Sequence, residues 1–101
     1  MTEERLPTGQ IVYDPRGRVT AQPQTPAPRL AQLDGIRLGV LDNAKWNASK
    51  LLRRTVALLE ADTSFGEVRR FKKDSFSRPA APELLARVAR EADAVITAIG
   101  D

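Results

Sequence analysis

The stretch that decides the fold is Ile36-Arg37-Leu38-Gly39-Val40-Leu41, which follows the turn residues Asp34 and Gly35. It is short and mostly apolar, and this is typical of a strand that is buried on both faces of a parallel sheet. Asp42 and Asn43 come directly after it. In open α/β sheets, ligands bind at the carboxyl ends of the strands. A ligand site is therefore expected where this strand ends.

Helical and extended patterns alternate after this strand. Residues 48–61 predict an amphipathic helix with Asn47 as its N-cap. The apolar stripe of this helix comprises Leu51, Leu52, Val56 and Leu59. Residues 65–72 predict a weaker strand at a sheet edge, because charged residues surround its apolar positions.

A second helix and a third strand complete the pattern. The helix begins at Pro82 and Glu83, because proline suits a first helical position and an acid suits a first turn. Its predicted buried stripe comprises Leu84, Leu85, Val88 and Ala92. Residues 94–99 form the most apolar strand of the chain, so we expect a central position for it.

This order of elements predicts an α/β fold. Right-handed crossovers would make residues 33–101 half of a Rossmann-like parallel sheet, β-α-β-α-β. If the spatial order of the strands is second, first, third, the winding direction changes between the first and third strands.

Residues 1–32 have a different character and predict an irregular, proline-rich N-terminal arm. Five of the seven prolines lie here, and proline prevents long regular elements. Residues 11–13 can pair briefly as an edge strand, and residues 14–17 favour a turn. We expect the arm to pack on a partner.

The composition excludes several kinds of chemistry. The 101 residues contain no cysteine and no histidine, so they carry no disulfide, no thiol nucleophile and no imidazole base. The net charge is +3, and the basic residues are interspersed, which does not indicate nucleic-acid binding. No apolar stretch has the length of a membrane span or signal peptide. We expect a cytoplasmic protein with no nucleic-acid or membrane partner.

The loop Asp42-Asn43-Ala44-Lys45-Trp46-Asn47 is the strongest candidate site. An acid, an amide and an ammonium group beside a helix start can hold a substrate carboxylate or phosphate. The alternative is structural, since Asp and Asn are common in turns. Trp46 either flanks a ligand or covers a helix end or an interface. The loop is neither the glycine-rich dinucleotide fingerprint nor a P-loop.

Two further polar features are better explained by structural roles than by a functional site. The basic residues of the second strand predict a solvated or edge-protecting face, with an anion site as the alternative. They are Arg69, Arg70, Lys72 and Lys73. The hydroxyl group of Thr97 is expected to bond locally, with a position facing the cleft as the alternative.

Three parts of the chain resemble the amino-terminal half of the UGSC family. They are residues 27–30 with 33–35, residues 38–43 with Lys45 and Asn47, which include the segment Leu-Asp-Asn-x-Lys-x-Asn, and residues 93–101. The family is named for a selenocysteine (or cysteine)-Gly-Ser-Cys motif, which directly follows the Gly-Asp that closes its third strand. The resemblance implies a Rossmann-like fold and a thiol- or selenol-dependent reaction.

By matching positions, the resemblance implies that residues 42, 43, 45 and 47 line the pocket and that residues 100 and 101 lead into the nucleophile loop. Together with the place of the loop in the fold, this gives the candidate site residues. Lys45 and Asp101 are the candidate catalytic residues, although Asp101 has no triad around it in the sequence. The candidate substrate-binding residues are Asp42, Asn43, Trp46, Asn47 and Gly100. Trp46 stands where the family often has proline.

The reactive motif itself is absent from these 101 residues. Either a second polypeptide supplies it, or an in-frame UGA codon for selenocysteine was read as a stop. We therefore expect a small subunit or amino-terminal half of a thiol- or selenol-dependent enzyme that acts on a small-molecule substrate. The alternatives are a non-catalytic module that binds a partner through its arm and open sheet edge, and a complete small anion- or nucleotide-binding domain. The residues identify no metal site, and the cofactor and substrate are unknown.

Overall fold

A three-stranded parallel sheet and a separate hairpin organise the chain in the computed structural model, which describes residues 2–100. The hairpin strands are β1 (Thr2–Arg5) and β2 (Ile11–Asp14). The parallel strands are β3 (Arg37–Asp42), β4 (Glu67–Lys72) and β5 (Ala94–Ala98), and the helices are α1 (Ala48–Asp62) and α2 (Pro82–Glu91). The predicted α/β class with a parallel sheet is confirmed.

Strand β3 lies at the centre of the parallel sheet, whose order is β4-β3-β5. The first, second and third strands of the sequence prediction are β3, β4 and β5, so this is the order second, first, third that the prediction considers. Arg37 of β3 pairs with Glu67 of β4, and Leu38 of β3 pairs with Ala94 of β5. Because the strands are parallel and in register, their carboxyl ends meet at one edge of the sheet.

The two helices pack on opposite faces of this sheet. Leu38 and Val40 of β3 form the buried core with Leu52 and Val56 of α1, so α1 covers the face to which these alternate residues point. Phe71 of β4 points to the other face and is buried. There the guanidinium of Arg87 in α2 lies 5.3 Å from the centre of the Phe71 ring.

Gly39 allows the chain after α2 to approach the central strand. A Cβ atom at Gly39 would lie 2.9 Å from the Cβ of Ala92. The carboxylate of the next residue, Asp93, accepts hydrogen bonds from the backbone N–H of Arg37 at 2.9 Å and from the Arg37 guanidinium at 3.0 Å. The Arg37 side chain, together with its backbone N–H, holds the pKa of Asp93 below its ordinary value.

The N-terminal arm is not irregular throughout, which corrects the sequence prediction. Residues 11–14 form the expected short strand, but they pair with β1, which was not predicted. The turn lies before β2, where Gly9 has φ 83° and its N–H donates to the carbonyl of Leu6 at 2.8 Å. Residues 14–17 have no backbone-bonded turn. Oδ1 of Asp14 accepts the Arg16 N–H at 3.0 Å, and the Asp14 carboxylate also pairs with the Arg16 guanidinium at 2.6 Å. Residues 15–30 have no regular structure.

Strand β5 is an edge strand, so the prediction of a central position is wrong for the described residues. Its alternate residues Ala94, Ile96 and Ala98 pack against the core on the α1 face. Val95, on the opposite face, is 44% exposed, and Thr97 is exposed as well. The apolar composition of β5 therefore reflects one buried face, while its second face is only partly covered and its outer edge has no strand partner among residues 2–100.

The buried stripes of the two helices are narrower than predicted. Helix α1 contacts the sheet through Ala48, Leu52 and Val56, which follow one another at four-residue spacing. Leu51 and Leu85 are 49% and 52% exposed, since each lies beside the contact line of its helix rather than on it. Neither helix within the described residues has the length and apolarity that a membrane crossing requires.

Candidate functional site

Asn43 links the carboxyl ends of all three parallel strands. It follows β3, and its backbone N–H donates to the Ala98 carbonyl of β5 at 2.9 Å. Its side-chain Nδ2 donates to the Ile99 carbonyl at 2.8 Å, and its Oδ1 accepts from Nζ of Lys73 at 2.6 Å. Lys73 directly follows β4, so one amide side chain joins groups from both neighbouring strands. The half-buried position of these groups strengthens the contacts.

The loop after β3 has a tightly folded backbone. Oδ1 of Asp42 accepts a hydrogen bond from the Ala44 N–H at 2.7 Å, which closes a short turn. Ala44 has φ 64° and Asn47 has φ 69°, so two residues of this loop lie in the left-handed region. The predicted turn role of Asp42 is thus present.

Asn47 precedes α1, as the sequence predicts, but its side chain does not cap the helix. A capping side chain requires an extended backbone at the N-cap position, and Asn47 is left-handed. Its carbonyl instead accepts the N–H of Leu51 at 3.0 Å, and the Lys45 carbonyl accepts the N–H of Ala48 at 3.1 Å. The amide side chain of Asn47 is therefore available for a role other than capping.

The remaining predicted site residues differ in exposure. Lys45 is half-buried, whereas Trp46 is 83% exposed and covers no helix end within the described residues. Gly100 is exposed at the end of the described chain, and the candidate Asp101 lies outside the described residues. The Thr97 hydroxyl donates to the Leu41 carbonyl of the neighbouring strand β3 at 2.8 Å, so it is satisfied across the sheet.

Lys73 also lies at this edge, although its place in the sequence predicts a different role. It was expected in a solvated or edge-protecting face, but its ammonium group contacts Asn43. The sequence holds a usable signal: Lys73 comes directly after β4, as Asn43 comes directly after β3, and equivalent positions of parallel strands meet at one edge.

The α1 face of the sheet carries a cleft beside the same edge. It has a volume of about 410 Å³ and lies between α1, β4 and the end of β3. Asp42 and Lys72 line it from the strand ends, and Arg53 and Arg70 line it from α1 and β4. Within the described part of the chain, no group of three or more acidic side chains is placed to hold a metal ion.

These features define an α/β protein in which a polar loop lies at the carboxyl edge of a parallel sheet. The sequence model of the UGSC family matches residues 11–101, which is nearly the whole chain. The chain belongs to the UGSC family, and the resemblance noted from the sequence is confirmed. No curated protein and no solved structure matches the chain.

Proposed function

We propose that this chain is the amino-terminal half, or a small subunit, of a thiol- or selenol-dependent enzyme with a Rossmann-like fold. Family membership carries the proposal. In the pattern that the sequence resembles, the reactive cysteine or selenocysteine directly follows the Gly-Asp that occupies Gly100 and Asp101 here. The nucleophile then comes from a partner chain or from a carboxyl-terminal half.

The sheet order supports this location for the chemistry. With β3 between β4 and β5, the winding direction changes between β3 and β5, and ligands of open α/β sheets bind at such a point. Asn43 joins the ends of these two strands through Ala98 and Ile99. A nucleophile that follows β5 would therefore lie beside the loop that follows β3.

Within that loop, we assign Lys45 the role of stabilising the reactive anion. A nearby ammonium group lowers the pKa of a thiol or selenol, and the anion is the attacking species. Asp42, Asn43, Trp46 and Asn47 position the small-molecule substrate.

The uncovered side of β5 supports a completing polypeptide. Parallel sheets are normally covered on both faces. Val95 and Leu85 are 44% and 52% exposed, and the outer edge of β5 has no strand partner among residues 2–100. Further strands and a helix that covered these groups would complete the sheet.

The nucleotide sequence after the Asp101 codon gives the first test. We expect a UGA or cysteine codon followed by a Gly-Ser-Cys frame, or a neighbouring gene that begins with this motif. An ordinary stop codon with no such neighbour would contradict the proposal.

The second test measures the role of Lys45 in the completed protein or complex. The rate of alkylation by iodoacetamide, followed against pH, reports the pKa of the reactive group. We expect Lys45→Met to raise this pKa by on the order of one unit, because a nearby positive charge has been removed. Lys50→Met is the matched control, since Lys50 is an exposed residue of α1. An equal pKa in both variants would refute the role of Lys45.

A non-catalytic interaction module is the second candidate, and the hairpin favours it. Tyr13 of β2 is 60% exposed and Val19 is 91% exposed, so the arm offers apolar groups to a partner. Two variants of the assembled complex separate the candidates. If Lys45→Met loses turnover but still assembles, the enzyme is supported. If the complex has no turnover and Tyr13→Ser abolishes assembly, the module is supported.

A further inference from the structure

The cleft between α1 and β4 gathers three basic side chains. Arg53 lines it from α1, and Arg70 and Lys72 line it from β4. In the strand register, Arg70 lies opposite Val40 of β3, and Lys72 lies opposite Asp42. Residues at equivalent register positions share a face, so the side chains of Arg70 and Lys72 both point to the face that α1 covers. The register of the sheet therefore places them on the same wall, with Arg53 on the wall opposite.

Among the residues that the structure describes, these three cations have no carboxylate partner. Within residues 2–100, neither Arg53, Arg70 nor Lys72 forms an ion pair, and the one polar contact of Arg53 is a 3.4 Å bond from Nε to the Ser49 carbonyl. On the opposite face of the sheet, by contrast, Arg69 pairs with Glu91 at 2.7 Å. The cleft thus concentrates positive charge that the described chain does not neutralise.

One acidic residue lines the cleft, and it is partly engaged. Asp42 accepts the Ala44 N–H at 2.7 Å through Oδ1. Three cations against one carboxylate leave a net positive charge, which favours an anion over a cation. The inner part of the cleft is apolar, since Val40 and Leu52 are buried there.

We propose that this cleft binds a small phosphate-bearing organic molecule. The guanidinium groups of Arg53 and Arg70 match the geometry of phosphate oxygens, and Lys72 adds a third positive charge. The apolar part of the ligand packs on Val40 and Leu52. A volume of about 410 Å³ is in the range of small-molecule sites. This site goes beyond the proposed function, because binding here needs no sulfur or selenium nucleophile.

Titration of the purified chain with phosphate probes tests the site. We expect phenyl phosphate to bind more tightly than inorganic phosphate, because only phenyl phosphate has an apolar group for the inner cleft. Arg53→Gln/Arg70→Gln should weaken phenyl phosphate binding about tenfold or more, since at least one charge-assisted hydrogen bond is lost. Lys72→Gln provides a second, single-site variant, and backbone amide chemical shifts report both binding and folding.

The control removes equal charge from the same helix outside the cleft. Lys50→Gln/Arg54→Gln changes two exposed residues of α1, and its affinity for phenyl phosphate should stay within about twofold of the unmodified chain. Equal weakening in the control, or no difference between the two probes, would overturn the proposal. Binding of single-stranded oligonucleotides that tightens with length would also overturn it and indicate a nucleic-acid surface instead. None of these outcomes depends on whether the chain is part of a thiol- or selenol-dependent enzyme.

Discussion

Replacing Asn43 by alanine removes the side-chain link between the three strand ends. The Ile99 carbonyl loses a donor at 2.8 Å, and the Lys73 ammonium loses an acceptor at 2.6 Å. A neutral hydrogen bond contributes about 1 kcal/mol, and a bond to a charged group contributes about 1.5 kcal/mol or more. Because both bonds are only partly buried, water replaces some of this contribution. We expect Asn43→Ala to lower the free energy of unfolding by about 2 kcal/mol.

The Lys73 bond can be isolated with a double-mutant cycle. Lys73→Met keeps much of the side-chain length and removes the ammonium group, with an expected loss of about 1 kcal/mol. In the Asn43→Ala/Lys73→Met variant, the shared bond is lost only once. The loss in the double variant should therefore be about 1 kcal/mol smaller than the sum of the two single losses.

Urea unfolding followed by circular dichroism measures these free energies. The slope of the unfolding free energy against urea concentration should be equal in the unmodified chain, the two single variants and the double variant. Equal slopes show that the same folded and unfolded states are compared. The unfolding free energies of variants at independent sites add to within about 0.3 kcal/mol, so a coupling free energy below that value indicates no interaction. That result would show that the Asn43 and Lys73 side chains do not interact, and it would refute the description of this edge.

Two further predictions concern the packing and the charge of the sheet. Gly39→Ala should lower the free energy of unfolding by about 1–2 kcal/mol, because overpacking against Ala92 outweighs the lower entropy of the unfolded chain; thermal unfolding measures this. Arg37 keeps the folded-state pKa of Asp93 below its ordinary value of 3.8, so the ion pair stabilises the fold fully above that pH and loses its effect as the pH falls below it. Asp93→Asn should therefore lower the urea midpoint at about pH 6 and have a smaller effect at about pH 2.5.

Matched variants control both measurements. Gly17→Ala adds a methyl group where no atom lies within 4 Å, so its unfolding temperature should not fall below that of the unmodified chain. Asp62→Asn removes a carboxylate that has no ion pair within residues 2–100, and its effect on the urea midpoint should be small at both pH values. An Asp93→Asn deficit that persisted undiminished at low pH would show that the loss does not come from the ion pair with Arg37.

Much of the parallel sheet could be predicted because its elements have local signals. The apolar run ending at Leu41 is longer than a turn and shorter than a helix, and it folds as the central strand β3. Pro82 marks the first residue of α2, where a missing N–H costs nothing. The loop from Asp42 to Asn47 lies at the carboxyl edge, as its place between strand and helix predicts.

The rest depends on contacts that are distant in sequence. Strand β1 has charged, exposed residues, and only its pairing with β2 makes it regular. The apolar character of β5 indicates burial but does not say on how many faces. The contact between Lys73 and Asn43 joins residues 30 positions apart, and only the strand order brings them together. Local patterns therefore locate the edge of the sheet but do not identify which side chains meet there.

The exposure of Trp46 makes the loop observable by spectroscopy. It is the single tryptophan of the chain, and 83% of its surface contacts solvent. Its fluorescence therefore reports on this loop alone, with an emission maximum close to that of indole in water. A molecule that covers the loop will shift the emission to shorter wavelength, so occupancy of the loop can be followed without any label.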